Sequence, residues 1–470
     1  MFALPGVLLL VVFLLARPLD LFPDLQGGPV LYVLAALALF GVYADVRLRL
    51  TELRVPRHFG WALAFTAWCV VSAAICAPET LVKTILSLTI AFLVYGVLAT
   101  GIQTFKGLQV IAGGMLAVAL FIGALCVHMA QQPTQCVAYL PGETTALDQV
   151  GTVITAGMGH PDGRPCKKPE QCIEGGDRAN LYTCESAGWF GLTSVKGRVR
   201  YTGTLHDPNE VALYVSACLP FAFAFYRRRR TLWRGALAVS STALVGATVY
   251  YTHSRGGLLV LLTVLGFYVL QRVGLKRALI LAIPAGVVLV SLMLTSGGGA
   301  RADAEDSTLK RLQCMWSGLQ MLRHSPLYGV GFNQFTEHHD QTAHNSYILA
   351  AAELGVPGLL LWAMTFYLVG KSLVVALRTC PQPEAEVARI WGGALMASLL
   401  GITVGIFFLS FTYHYVLWVF FGLAGAFASA VRVHERRFTV TVGLRDMVLV
   451  ASAASALMVG VFLYILAKRL

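Results

Sequence analysis

Apolar blocks of roughly 18 to 22 residues recur along this chain, each long enough to cross a hydrocarbon layer about 30 Å thick as a helix. In lipid, every backbone N–H and C=O must find its partner within its own helix or around a closed barrel. Barrel strands alternate apolar and polar residues over segments of about 10, whereas these blocks are continuous, so the barrel is excluded. The sequence predicts an all-α, polytopic integral membrane protein of about 12–13 transmembrane helices. Spans are legible at 2–16, 29–44, 59–76, 81–100, 107–130, 206–226, 232–250, 256–270, 278–295, 345–370, 390–410, 413–431 and 447–466. A chain of 57% apolar and 13% charged residues with a mean hydropathy of +0.68 fits that class.

Charge sets the orientation. The formal net charge of +12 is a balance that nucleic-acid binders also show. Here the excess Lys and Arg fall in short loops between spans: Arg47, Arg49, Arg54 and Arg57; Arg227 to Arg230 with Arg234; Arg272, Lys276 and Arg277; Arg432, Arg436, Arg437 and Arg445. Short basic loops stay in the cytoplasm, which places the N-terminus there and leaves no nucleic-acid partner to expect. Phe2 to Ala16 lacks the positive n-region and small-residue cleavage site of a signal peptide and is read as a retained span. Lys468 and Arg469 then fall outside, so twelve spans plus a surface helix is the alternative.

Two long loops go to the outer face. The chain divides into N-terminal transmembrane helices (1–130), an outer-face loop (131–205), transmembrane helices (206–295), a second outer-face loop (296–344) dense in Arg and His, read as half of an active site, and C-terminal transmembrane helices (345–470). The first loop holds Cys136, Cys166, Cys172 and Cys184, which in an oxidising compartment form two disulfides with three pairings open. Without a C-x-x-C pair, a zinc site is the poorer reading. The Gly, Pro and Thr of this loop predict irregular structure pinned by the disulfides.

Three polar clusters stand at outer span ends. In the first, His206-Asp207-Pro208-Asn209-Glu210, Asp207 caps a helix with Pro208 at its first position, and His206 faces an anion; a bare helix start is the plainer reading. The second runs from His253 through Ser254-Arg255 to Gly256-Gly257. The glycines remove bulk beside Arg255, leaving its fork open to a phosphate, against a plain interfacial snorkel. The third fills 301–344, with Arg311 and Arg323 on a helical-looking run and His338, His339 and Asp340 before His344-Asn345. Adjacent histidines without H-x-x-x-H spacing are a weak metal signature. Arginines for a diphosphate and a histidine for proton abstraction fit better, although His344 could instead merely cap the next span.

The ordered series Gly203-Thr-Leu-His-Asp-Pro-Asn-Glu210, Ser254-Arg-Gly-Gly257, Arg311 with Trp316, Ser325-Pro-Leu-Tyr-Gly-Val-Gly-Phe332 and Ala343-His-Asn-Ser-Tyr347 resembles the O-antigen ligase and polymerase superfamily over about 200–435. His344-Asn345, nine residues, then Gly355-Val-Pro-Gly358 matches the ligase pattern H-[NSQ]-x9-G-x-x-[GTY]; Arg323 with Leu327 fits its R-x3-L element. The polymerase R-x10-G pattern has a match at Arg164 to Gly175 in the first loop, and none at Arg301, Arg311 or Arg323 in the second.

The resemblance implies a GT-C type glycosyltransferase of the bacterial inner membrane, with its active site facing the periplasm. It uses an undecaprenyl-diphosphate-linked glycan donor, and lipid A core or a growing polysaccharide as acceptor, among membrane lipids. No cofactor or metal is called for. Carried over, Arg255 and Arg311 hold the diphosphate, Arg323 assists and His344 takes the acceptor proton. Asn345, Asp207, His206 and His253 orient substrate. A protein acceptor is disfavoured, because such relatives often carry a further C-terminal soluble region. A lipid flippase is the rival of another class, although transporters place key charges near the midplane on broken helices of paired repeats, which are not evident here. If the topology is right, a cysteine placed at Gly163 or at Asp303 in a cysteine-depleted background reacts with an impermeant maleimide from outside; labelling only after permeabilisation overturns it.

Overall fold

Helix starts are marked by side chains that satisfy the first backbone N–H groups, which have no partner inside the helix. In a computed structural model, which describes residues 2–22, 29–139, 144–147, 153–155, 158–174, 181–274, 276–277 and 299–468, the apolar blocks fold as helices in this way. Thr104 opens α5 (Phe105–Ala130), Asp207 opens α6 (Pro208–Arg228), Thr231 opens α7 (Leu232–Tyr251) and Ser254 opens α8 (Arg255–Val273). Before them come α1 (Ala3–Ala16), α2 (Val30–Arg47), α3 (His58–Cys76) and α4 (Leu81–Gly101). After them come α9 (Gly299–His324), α10 (Ser346–Thr379), α11 (Ala385–Gly405), α12 (Tyr415–His434) and α13 (Leu444–Ala467).

Among the described residues 11 helices are long and apolar enough to cross a membrane, so the protein is an all-α polytopic membrane protein. The 2–16 block is the 14-residue α1, about 21 Å long and short for a span. It is nonetheless buried, because Asp45 of α2, itself 1% exposed, accepts hydrogen bonds from the Phe2 and Ala3 amides at 2.8 and 2.9 Å. The span read at 278–295 lies outside the described residues. The span read at 345–370 runs on to Thr379, and the one read at 390–410 stops at Gly405, where the chain turns through 406–414. Packing centres on α12, buried from Val416 to Val431 between α4, α10 and α11, while α2 and α13 turn apolar side chains outward to lipid.

The first loop is more regular than its composition suggests. Thr134–Tyr139 (β1) pairs antiparallel with His160–Pro165 (β4) on one side and Leu181–Ser186 (β5) on the other; Thr144–Leu147 (β2) and Val153–Thr155 (β3) form a separate hairpin. Cys136 lies opposite Cys184 in the ladder, yet the disulfides cross: Cys136 bonds Cys172 and Cys166 bonds Cys184. The sulfurs pack as a small core, which a three-stranded sheet of this size otherwise lacks.

A break in α10 shapes the second half. Gly355 sits at φ +68°, and Pro357 follows with no N–H to donate, so carbonyls before the break lose their helical partners. The Ser325–Phe332 segment replaces them: Val330 and Gly331 amides donate to the Ala352 and Glu353 carbonyls at 2.9 and 3.0 Å, while the Val356 amide returns to the Pro326 carbonyl at 2.8 Å. Gly329, at φ +68°, lies so close that a Cβ there would sit 2.2 Å from the Glu353 carbonyl carbon. Gly329→Ala is therefore expected to lower the melting temperature of the purified protein by several degrees, whereas Gly246→Ala, where a Cβ meets nothing within 4 Å, leaves it unchanged or raised. Equal melting points for the two variants would contradict this packing.

Candidate active site

The starts of α6, α8 and α10 share one electrostatic field, since Asp207 and Arg255 act on Arg311 and Asp207 and Arg311 act on His344. Each helix start carries roughly half a positive charge, so their meeting is suited to an anion. Asp207 is committed to the first of them. Its Oδ1 accepts hydrogen bonds from the Asn209 amide at 2.6 Å and from Asn209 Nδ2 at 2.7 Å, and Glu210 reaches back to the Asp207 amide at 3.3 Å. Asn209 Oδ1 in turn accepts from Arg198 Nη2 at 3.0 Å, and Arg198 Nε donates to the Thr252 carbonyl at 2.8 Å. One guanidinium thus ties the end of the first loop to the start of α6 and the end of α7.

Arg311 projects from α9 into the same field. Burial lowers its pKa, Asp207 and Cys314 oppose that, and Arg255 adds to it; an arginine so placed remains charged at neutral pH. It makes no hydrogen bond or ion pair with any described residue. A partly buried guanidinium with unused donors is costly unless water or a ligand takes them.

His344 stands at the end of the same segment, in the left-handed region at φ +49°. Its amide donates to Ser410 Oγ at 3.1 Å, and Thr342 Oγ1 donates to that oxygen at 2.8 Å. The next residue is stitched to the same turn, with the Ser346 amide on the Ile406 carbonyl at 2.9 Å and Ser346 Oγ on the Leu409 carbonyl at 2.6 Å. Burial, then Arg311, with a further push from His339, lowers the His344 pKa from 6.5 to about 4 against the opposing pull of Asp207. The ring is neutral at pH 7 and can accept a proton. His344 does not cap α10. Asn345 does, its Oδ1 accepting from the Tyr347 and Ile348 amides at 2.9 and 3.1 Å, which leaves its buried Nδ2 without a partner.

The remaining residues divide. Arg255, exposed as the first residue of α8, acts electrostatically on Arg311 and belongs to the cluster. The reading that Gly256 and Gly257 clear room for its fork is corrected: a Cβ at Gly257 would stand 2.2 Å from Ala212 Cβ, and one at Gly256 3.3 Å from Phe408 Cβ. They let α8 close on α6 and on the 406–414 turn. His253 lies beside Arg198, and partial burial and that arginine lower its pKa. His206 turns its ring back, with Nδ1 2.7 Å from the Gly203 carbonyl.

Arg323 follows Arg311 on α9 by twelve residues, about 18 Å of helix, and is exposed there, away from the cluster. His339 contacts Cys314 and Gln341, and the structure does not group His338, His339 and His344 around one metal position. Arg164 is spent on the sheet, 2.6 Å from Asp162 and 5.3 Å over the Tyr182 ring, while Gly175 lies outside the described residues.

The sequence reading missed Arg198, Asn209 as its partner, and Ser410. Arg198 had a usable signal: it lies nine residues before the capping aspartate, between Lys196 and Arg200 in a basic run that leads into the first polar cluster. Ser410 had none, since an isolated serine near a span end is unremarkable.

Residues 240–363 match the family model for O-Antigen ligase. That match supports a likeness to the O-antigen ligase and polymerase superfamily over this segment. That ligase-family segment takes in Arg255, Arg311 and His344 and supports a ligase- or polymerase-type glycosyltransferase. Among solved structures, the chain resembles one from "Structural coordination of polymerization and crosslinking by a peptidoglycan synthase complex", at 16% identity over 82% of this chain and 98% of that one, with a TM-score of 0.43. A likeness at that TM-score says nothing of shared chemistry. No curated protein matches the chain.

His344, inside the matched segment, gives a direct electrostatic prediction. Its folded pKa lies below the ordinary value, so the neutral ring contributes stability above about pH 6.5, and that contribution fades as pH falls toward 4. In ¹⁵N-histidine spectra His344 should titrate near 4, and Arg311→Gln should move it upward. A midpoint near 6.5 in the unaltered protein, or no movement in the variant, would contradict the geometry.

Proposed function

We propose that the protein is an inverting, metal-independent glycosyltransferase. It moves a glycan from undecaprenyl diphosphate to an acceptor hydroxyl at the periplasmic face of the inner membrane, acting as an O-antigen ligase on lipid A core. The supporting observation is Arg311, charged, partly buried and without a hydrogen-bond partner among the described residues, set beside Arg255, Asp207 and His344. Arg311 and Arg255 grip the donor diphosphate. As the bond from the anomeric carbon to the diphosphate oxygen breaks, negative charge gathers on that oxygen, where fixed donors commonly supply several kcal/mol. The acceptor oxygen forms its bond to the anomeric carbon from the opposite side, and its proton passes to His344. A ring with a pKa of about 4 is a poor base in the empty site. A diphosphate between Arg311 and Arg255 cancels part of the field that depresses it, so donor binding prepares the base. Asn345 Nδ2 and His253 remain as donors to orient substrate.

Extension of a growing polysaccharide needs the same bond changes with a different acceptor. A flippase makes none. Purified protein given a defined undecaprenyl-diphosphate glycan, with lipid A core and free repeat unit in competition, distinguishes them by product mass. His344→Ala should stay folded and retain donor while transfer falls by roughly 10² to 10⁴. Arg311→Lys should also lose most activity, since an ammonium lacks the planar fork that grips two phosphate oxygens. Wild-type turnover in His344→Ala, or glycan that stays on its lipid in every reaction, would overturn the proposal.

A further inference from the structure

A cavity of about 470 Å³ lies at the end of the helical layer opposite His344, a size at which ligands are commonly enclosed. Its walls come from the 54–57 segment and first turn of α3, from Ser372 on α10, from the last turns of α12 and from 438–440. Ser372 is 26 residues beyond the start of α10, and Arg432 is near the end of α12, so this face and the His344 cluster are separated by the membrane-spanning length of both helices.

Three arginines line the cavity, Arg54, Arg57 and Arg432, and no carboxylate does. Arg54 is held by Glu52 at 2.9 Å; Arg57 and Arg432 have no hydrogen bond or ion pair among the described residues. The charge beneath them has the same sign. α3 starts here with no side chain capping it, unlike α5 to α8, α10 and α12, and its first turn holds no acidic residue. At Gly60 a Cβ would meet nothing within 4 Å, so the cavity reaches that bare first turn. The unpaired guanidiniums of Arg57 and Arg432 beside an uncapped helix start repel one another until an anion arrives. The buried Ser372 and Ser429 leave a small floor beneath.

We infer that this cavity binds a phosphate-type anion, gripped by Arg57 and Arg432 with Arg54 behind them. An anionic phospholipid headgroup and a soluble phosphate share that chemistry. The plain alternative is that these arginines only mark the basic face of a membrane protein, in which case position within that face is immaterial.

The test compares Arg57→Gln/Arg432→Gln with Arg436→Gln/Arg437→Gln, which removes the same charge from residues that do not line the cavity. Delipidated full-length protein is titrated with phosphatidylglycerol in detergent and read by native mass spectrometry. In parallel it is titrated with inorganic phosphate against sulfate-free chloride at equal ionic strength and read by melting temperature. One saturable phosphatidylglycerol site, weakened roughly tenfold or more by the cavity pair and untouched by the control pair, supports a lipid headgroup. A saturable phosphate shift in melting temperature, lost only in the cavity pair, supports a soluble anion. Equal behaviour of the two pairs toward both probes overturns the proposal, and unchanged melting points of the variants without ligand show that folding is not the cause.

Discussion

Asp207 is the electrostatic centre of the candidate site. It acts on Arg198, Arg200, Arg311 and His344, and its own oxygen is fixed by two hydrogen bonds from Asn209. The arginines there, Arg198, Arg200, Arg255 and Arg311, outnumber the two carboxylates of the α6 cap, Asp207 and Glu210, and partly buried positive charge without a counter-ion is costly. The surrounding structure holds that arrangement in place. Arg198 joins the first loop to two helix ends, and Ser410 and Ser346 fasten the His344 turn to the 406–412 segment. A site kept short of negative charge is one prepared to receive it.

The scaffold explains why the motifs recur as an ordered series. Ser325–Phe332 and the Gly355–Gly358 region lie 23 or more residues apart in sequence, yet they form one unit: the first supplies the hydrogen bonds that the break in α10 takes away. This fixes α9 against α10, which places Arg311 beside His344. Gly256 and Gly257 belong to the same logic, allowing α8 to press on α6 so that Arg255 and Asp207 share a field.

Much of this was legible in the sequence, and the exceptions have physical causes. Spans were readable because lipid permits only continuous apolar helices, and the start of α6 because Asp207, Pro208 and Glu210 each satisfy a local rule. The sheet in the first loop was not, because its stability comes from crossed disulfides and strand pairing rather than from any period in the chain. The resemblance has Arg323 assisting Arg311; only the helix between them shows that about 18 Å separates them. Asn345, read as orienting substrate, proves to be the cap in place of His344, because adjacent residues divide capping and ring chemistry according to backbone angles that sequence does not state.

The central claim is that Arg311 and Arg255 hold the donor diphosphate within reach of His344. A structure of the protein with a bound, non-transferable undecaprenyl-diphosphate glycan tests it most directly. The account predicts diphosphate oxygens within hydrogen-bond distance of both guanidiniums, the anomeric carbon on the His344 side, and room for an acceptor hydroxyl between that carbon and the imidazole. A diphosphate bound away from Arg311, or an anomeric carbon facing away from His344, would contradict it.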